Sequence, residues 1–373
     1  MDSNKSSNFD LLSIGDATVD IFLTLQKNND KLHLDKEKNE LCVQYGEKIL
    51  VEDSQFMLGG NACNVAVGAA RLKFNCAFVS ELGDDEFANV IFKGLQKENV
   101  SPDFINKTAG LGTNFAVILT FEHDKVLFAR HLPRNHEFSF ENVSTKWVYL
   151  TSMGKEWKQA YQKTLDYVRK TGAKLAFNPG TTQIEEGFEN FKEAVALSDI
   201  LFVNKQEALE IFNFNPPAPI VSGPAGGAIF NEETFREILL KIKEKGPKVV
   251  VITDNNNGSY AVDENGKIYH IEVFPGVAIQ KTGAGDAYTS GFISARIDGK
   301  DVKEAMKWGA INAAFVVQKI GAQAGLLSRE EIERKLGENQ GFQAKEISQN
   351  VTLNEAKDSI EKEDSSLPLR MTS

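Results

Sequence analysis

The stretch QKTGAGDAYTSGF, residues 280–292, follows an extended segment and opens a run of helix-forming residues. Backbone N–H groups in a first helical turn lack intrahelical partners, and the helix dipole adds partial positive charge there. Glycines let a ligand approach the backbone closely. Gly283, Ala284, Gly285 and Asp286 are therefore candidates for an anion hole built from N–H groups. Asp286 lies in the same turn, where its ionised form is favoured. A carboxylate beside such a hole can accept a proton from a hydroxyl while the hole stabilises phosphoryl charge. That pairing is the logic of hydroxyl phosphorylation. A plain helix entry with an acidic cap gives the same short pattern without chemistry. The stretch lacks the Lys-Ser or Lys-Thr pair of a phosphate loop, and it also lacks the third glycine of a dinucleotide fingerprint.

Three further motifs extend the pattern. GGNACNVAVGAARL, residues 59–72, places a glycine pair before a helix of small residues, with Asn61 and Asn64 near its start. Asparagine amides there can both donate to and accept from sugar hydroxyls. Small residues let that helix lie close to a sheet. NKQEALEIF sets Asn204 at a strand end and Glu207 three residues on. This is a capping box, and it is compatible with a phosphate-contacting amide and a carboxylate that orients magnesium-bound water. TDNNNGS, residues 253–259, ends an apolar strand. It reads as a turn or as a loop whose N–H groups and Thr253 hold a nucleotide phosphate.

Between these motifs, strands and helices alternate. FDLLSI, WVYL, KLAF, ILFVN and KVVVIT are apolar strands, and the helices between them predict a parallel sheet covered on both faces. Residues 84–100 and 301–319 read as helices. The charged strands within 21–58 and the hairpin at 113–131 do not fit a core and read as an exposed small sheet. Residues from about 340 onward are rich in Ser, Glu and Lys and are expected to form a tail of low order.

The composition sets the class. The chain has 373 residues, 42% hydrophobic and 25% charged, with a formal net charge of -10. Such a balance suits a globular enzyme and argues against a nucleic-acid-binding face. No apolar run is long enough to span a bilayer. The cysteines Cys42, Cys63 and Cys76 are odd in number and form no C-x-x-C pair, so a cytoplasmic protein without disulfides or a cysteine metal site is expected.

Taken in order, GDATVD (15–20), GGNACNVAVGAARL, NKQE, TDNNNGS, KTGAGD and NAAFVVQKIGAQ (312–323) resemble the ribokinase-like, or phosphofructokinase B, family of carbohydrate kinases. The resemblance spans roughly residues 9–330 and gives one kinase domain over 1–335. It implies a three-layer α/β/α sandwich with a mostly parallel central sheet and a small β-sheet lid. It also implies ATP and Mg2+ as cofactors, Asp286 as general base, and Gly283 to Asp286 as the anion hole. By the same resemblance Asn204, Thr253, Gly258 and Asn312 fall at nucleotide positions and Glu207 at the metal. Asp20, Gly59, Gly60, Asn61 and Asn64 fall where the family holds its sugar.

Two departures matter. Gln280 and Lys281 replace an Asp-Thr pair whose acid is associated with a monovalent cation, which puts potassium dependence in question; Lys281 is a candidate source of local positive charge instead. Asn255 replaces a glycine, and asparagine tolerates left-handed backbone. The expected activity is phosphorylation of a hydroxymethyl group on a sugar or sugar-like acceptor. A nucleoside kinase and a non-catalytic sugar or nucleotide binder are the alternatives. Arg130 is a candidate contact for a phosphate on the substrate. Exposed lid edges point to a homodimer through the lid.

Overall fold

A computed structural model describes residues 8–26, 29–38, 40–121, 124–140, 142–214 and 231–347. The chain opens with β1 (Asn8–Ile14), then β2 (Thr18–Leu25), β3 (Leu32–Asp35), β4 (Glu40–Val43) and β5 (Val51–Gly59). Helix α1 (Asn61–Arg71), β6 (Cys76–Gly83), α2 (Glu86–Lys97) and β7 (Val100–Thr108) follow, then the hairpin β8 (Phe115–Phe121) and β9 (Asp124–Arg130). The alternating half comprises β10 (Ser144–Leu150), α3 (Lys158–Thr171), β11 (Lys174–Phe177), α4 (Thr181–Glu185), α5 (Lys192–Leu197), β12 (Ile200–Asn204), α6 (Lys205–Ile211) and α7 (Glu232–Lys243). After β13 (Val249–Thr253), β14 (Ser259–Val262) and β15 (Ile268–Ile271) come α8 (Ala284–Ile297), α9 (Val302–Val316), α10 (Arg329–Glu338) and β16 (Lys345–Glu346).

One ten-stranded sheet has the order β16-β15-β14-β13-β12-β11-β10-β1-β6-β7. From β13 to β7 every pairing is parallel, and β14 to β16 add antiparallel. Strand alternation divides the core between two faces. Leu11, Val249 and Val251 point into a core shared with α1, α2, α8 and α9. Their neighbours Leu12, Val250 and Ile252 point into the other, shared with α3, α5 and α7. This is the expected three-layer sandwich. No helix among the described residues is long and apolar enough to cross a membrane.

The small sheet expected outside the core is also found, and is called the lid below. β5-β2-β8-β9 form a separate four-stranded sheet, with β2 antiparallel to β5, parallel to β8, and β9 closing the hairpin. Its first strand begins at Thr18 rather than 21, because Thr18 to Asp20 pair with Gly59 to Met57. Three boundaries differ from expectation. The helix expected over 84–100 ends at Lys97, where Asn99 takes a positive φ of 58° and turns the chain into β7. β7 had no clear signal, since Pro102 and charged residues interrupt its pattern; both suit the sheet edge it occupies. Order continues past 340, because Lys345 and Glu346 pair with β15; residues 348–373 of the expected tail lie outside the described residues.

The candidate active site

Two helices bring the central residues together. α1 carries Gly68, and a Cβ there would lie 2.3 Å from Ser290 Oγ on α8. The small residues expected to let α1 lie close to the sheet also bring it against α8. That contact sets Asn64 beside Asp286: Asn64 Nδ2 donates to Asp286 Oδ2 at 2.8 Å. Gln323 Nε2 in turn donates to Asn64 Oδ1 at 2.8 Å, which fixes the direction of the Asn64 amide. Asn64, expected on the sugar side, is thus also tied to the candidate base. Burial pushes the Asp286 carboxyl up to about 6, with the Asn64 amide opposing and the Asp20 charge adding.

The loop before α8 is shaped for a close ligand. Gly283 caps the helix at φ 78°, ψ 3°. A side chain there would also collide with Ala322, whose Cα lies 2.5 Å from the Cβ position. Gly285 has open space where a Cβ would point. The Ala284 N–H turns back to Lys281 O at 3.4 Å, so the first-turn N–H groups of Gly285 and Asp286 are the better placed donors.

The lid supplies the opposite wall. Asp20 on β2 accepts from Thr18 Oγ1 at 2.9 Å, and a Cβ on Gly59 would strike its carboxylate at 2.4 Å. Burial raises the Asp20 carboxyl, opposed by Thr18 and by the charge of Lys125. Lys125, on β9, hydrogen-bonds Thr282 Oγ1 immediately before the glycine loop. No motif marked this lysine; only the folded lid brings it near residue 282. Gly60 has φ 94°, and its Cβ would lie 2.5 Å from Asp16 O, so the turn into α1 requires glycine. Asn61 is partly exposed at the start of α1.

A pocket of about 240 Å³ lies on the other side of the loop, lined by Thr253, Gly258, Lys281, Gly285, Tyr288 and Ala314 among others. Gly258 has φ 83°, and its Cβ would lie 1.9 Å from Ile271 O. Asn255 takes φ 47° as the substitution allows. Lys205 Nζ pairs with Asp254 Oδ1 at 2.6 Å and ties this loop to α6. Asn312 is not part of the wall. It is fully buried, donates to Ala287 O at 3.0 Å and accepts from Leu327 N at 3.0 Å. Its amide braces α8 from behind.

Asn204 and Glu207 form the capping box: Glu207 N donates to Asn204 Oδ1 at 2.9 Å and Asn204 N to Glu207 Oε2 at 2.8 Å. Burial raises the Glu207 carboxyl, opposed by the Asn204 N–H, while the charges of Glu210 and Asp286 add to the rise. No group of three or more His, Cys, Asp or Glu side chains suited to a metal occurs among the described residues.

One cluster joins Asp16 of GDATVD to two residues that no motif marked, Arg134 and His136. The segment RHLPRNH, residues 130–136, starts at the last residue of β9 and buries Arg134 and His136 beside Asp16. Asp16 Oδ2 accepts from Gly154 N at 2.8 Å, and Oδ1 lies 3.5 Å from His136 Nδ1. Burial raises the Asp16 carboxyl against the charge of His136.

A three-layer fold with an acid at a helix entry, between a pocket and a small second sheet, has the layout of an α/β phosphotransferase of the ribokinase fold. The chain belongs to the pfkB family of carbohydrate kinases, whose family model matches residues 17–329. It is 26% identical over 349 residues to the 5-dehydro-2-deoxygluconokinase of Clostridium tetani, covering 88% of this chain and 93% of that one. Its fold matches the Arabidopsis thaliana ribokinase solved with ribose and ATP, with a TM-score of 0.69 and 20% identity over 88% of this chain and 98% of that one. It also matches an E. coli protein solved with ATP and Mg2+, with a TM-score of 0.68 and 19% identity over 88% and 99% of the two chains.

Proposed function

We propose that the chain transfers the γ-phosphoryl group of ATP to a hydroxymethyl group of a sugar or sugar-like acceptor, with Asp286 as general base. The observation that carries this is the position of Asp286. It shares a helical turn with Gly285, which lines the nucleotide pocket, and it feels the charge of Asp20 on the lid side.

The acceptor hydroxyl loses its proton to Asp286 as its oxygen bonds to the γ-phosphorus. The bond from that phosphorus to the β-γ bridging oxygen breaks, and ADP leaves. The N–H groups of Gly285 and Asp286 take the charge on the transferring group. Asn64, oriented by Gln323, holds the Asp286 carboxylate in line. Lys281, in the pocket wall, supplies positive charge on the nucleotide side. Mg2+ bound with the nucleotide would neutralise phosphate charge. With no cage of protein acids present among the described residues, its ligands would be phosphates and water, with Glu207 orienting that water. Three unpaired cysteines suit a reducing cytoplasm.

The test is ADP release across a panel of sugars, sugar acids, sugar phosphates and nucleosides. Asp286→Asn is expected to lower kcat by orders of magnitude while ATP binding, read by calorimetry, is largely kept. Undiminished transfer in that variant would falsify the base assignment. A preference for nucleosides over sugars would move the acceptor to the nucleoside class.

A further inference from the structure

The segment 319–327, between α9 and α10, contains neither helix nor strand, yet it carries Gln323, whose amide orients Asn64 against Asp286. Leu326 N bonds back to Gln323 O at 3.2 Å. Side chains from elsewhere hold the segment in place. Gln280 Oε1 accepts from Gly321 N at 2.9 Å, and Asn312 Oδ1 accepts from Leu327 N at 3.0 Å. Those two contacts fix its ends. At Gln323 itself the hold is Arg71.

Arg71 is the last residue of α1. Its Nη1 donates to Gln323 O at 2.7 Å and to Leu326 O at 3.1 Å. Its other two nitrogens take both oxygens of Glu98, the C-cap of α2: Nε donates to Oε2 at 2.8 Å and Nη2 to Oε1 at 2.7 Å. The Arg71 hydrogen bonds hold the Glu98 carboxyl below its usual range, against its burial. A two-pronged pair fixes the plane of a guanidinium, and so it aims Nη1. The side chains are 26% and 21% exposed, so water and salt screen this pair only in part. A cation in the last turn of α1 is favoured by the helix dipole alone. The dipole does not explain why Nη1 points at two carbonyls of one segment.

Arg71 and Asn64 lie seven positions apart on α1, two turns along one face. Gln323 touches both, with its carbonyl on Arg71 and its amide on Asn64. The second contact decides which way Asn64 faces. An asparagine amide turned by half a circle would present its oxygen, an acceptor, to the carboxylate. The donor on Gln323 opposes that turn, but only while Gln323 is itself held still.

We propose that Arg71 is a positioning residue for phosphoryl transfer: locked by Glu98, it clamps the backbone of Gln323, so that the Gln323 amide keeps Asn64 donating to Asp286. This inference rests on the proposed kinase reading for the role of Asp286. The titratable groups around Asp286 are Asp20 on β2, Cys63 on α1, Tyr149 on β10 and Glu207 on α6. Lys281 stands in the preceding loop, and Lys125 reaches Thr282 from the lid. The variants below alter none of these.

The experiment uses the full chain and two readouts. One is the pH profile of kcat/KM for the acceptor. The other is carbon NMR of carboxyl-labelled aspartate, with the Asp286 signal assigned by its absence in Asp286→Asn. Arg71→Met is expected to move the acid limb and the Asp286 signal up by about half a pH unit or more, a share of what full loss of a charge-assisted hydrogen bond brings. The rate should fall more below the limb than on the alkaline plateau. Arg71→Lys keeps the charge without the planar fork and should lie between. Arg71→Met combined with Gln323→Leu should match Gln323→Leu alone, because both cut one link. Direct action of the two charges predicts opposite signs, up without Arg71 and down without Glu98. The clamp predicts a rise in Glu98→Ala as well, since Arg71 loses its lock. An unmoved limb in Arg71→Met, additive shifts in the double variant, or a fall in Glu98→Ala overturns the inference. Thermal unfolding checks that Arg71→Met folds; if it does not, Arg71→Lys and Glu98→Ala decide. The NMR readout needs no turnover, so the two readings separate. Undiminished transfer in Asp286→Asn removes the base, while a moved Asp286 signal in Arg71→Met still supports the clamp. Lost transfer in Asp286→Asn with an unmoved signal in Arg71→Met keeps the base and removes the clamp.

Discussion

Asp286 was legible from its own turn, because a glycine loop and an acid at a helix entry are written in adjacent residues. Its immediate environment was not. Asn64 lies 222 positions away in sequence, and only the α1–α8 contact joins them. The pair makes a pH prediction. The proposed base must be ionised, and burial raises its carboxyl to about 6, so kcat/KM for acceptor should fall as pH drops through about 6. Asn64→Leu removes a charge-assisted hydrogen bond of about 1.5–3 kcal/mol. The acid limb should then move up by about one pH unit or more, and Gln323→Leu should move it in the same direction by less. A pH–rate profile with an unmoved limb in both variants would show that Asn64 does not tune the base. The same shift has a stability consequence. Asp286 binds its proton more tightly in the folded chain than in the unfolded one, so between its two carboxyl values stability falls as pH rises. Asp286→Asn should therefore raise stability by up to about 3 kcal/mol at pH 7.5, and the gain should vanish below pH 4. Thermal melts at the two pH values read this directly.

At the scale of elements, the glycine loop and α8 separate two uses of glycine. Gly258 is needed by the fold: a Cβ would lie 1.9 Å from a carbonyl oxygen. Gly285 is not, since nothing lies within 4 Å of its Cβ position. Gly285→Ala should keep the melting temperature yet weaken ATP-dependent turnover, because the added methyl enters the path of the phosphates. Gly258→Ala should lower the melting temperature itself. Equal turnover in wild type and Gly285→Ala would remove that loop from the phosphate path. The segment before the loop carries the departure from the family pattern. Gln280 Oε1 accepts from Gly321 N at 2.9 Å, so a neutral amide directly ties the two loops that frame α8. Lys281 stands in the wall of the pocket proposed for the nucleotide. Activity should therefore be nearly equal in potassium and in buffer free of potassium and sodium; a large potassium requirement sinks this prediction. Sequence alone could place Asn312 near this region but not say where its side chain points. It braces α8 because its helix is packed from behind, and neighbourhood in a motif does not encode direction. Arg134 failed to stand out for a related reason. Its segment has no period, and an isolated arginine in a polar loop reads as surface until the loop is seen folded over Asp16.

For the whole molecule, alternation of apolar strands with helices was enough to predict the layers, but not the strand order, which places β1 between β10 and β6. The lid was visible only as strands too polar for the core; the pairing of β2 with β8 across the intervening domain was not. That pairing gives the lid two different faces. Asp20, Met57, Ala116 and Ala129 share one row. The next row is Phe56, Ile21, Val117 and Phe128, on the opposite face by strand alternation. Phe56 is 60% exposed and Phe128 57%, on strands that form the two edges of the sheet. Exposed aromatic rows and unpaired edges favour association, and a symmetric pairing of two lids buries the same row from each copy. The chain should then sediment as a dimer at micromolar concentration. Charging the row with Phe56→Asp and Phe128→Asp should give a monomer that still binds ATP. Because the opposite face of the same four strands carries Asp20, loss of the partner should also loosen the acceptor wall and raise KM for the acceptor more than KM for ATP. Sedimentation equilibrium showing a wild-type monomer throughout that range would refute the lid dimer.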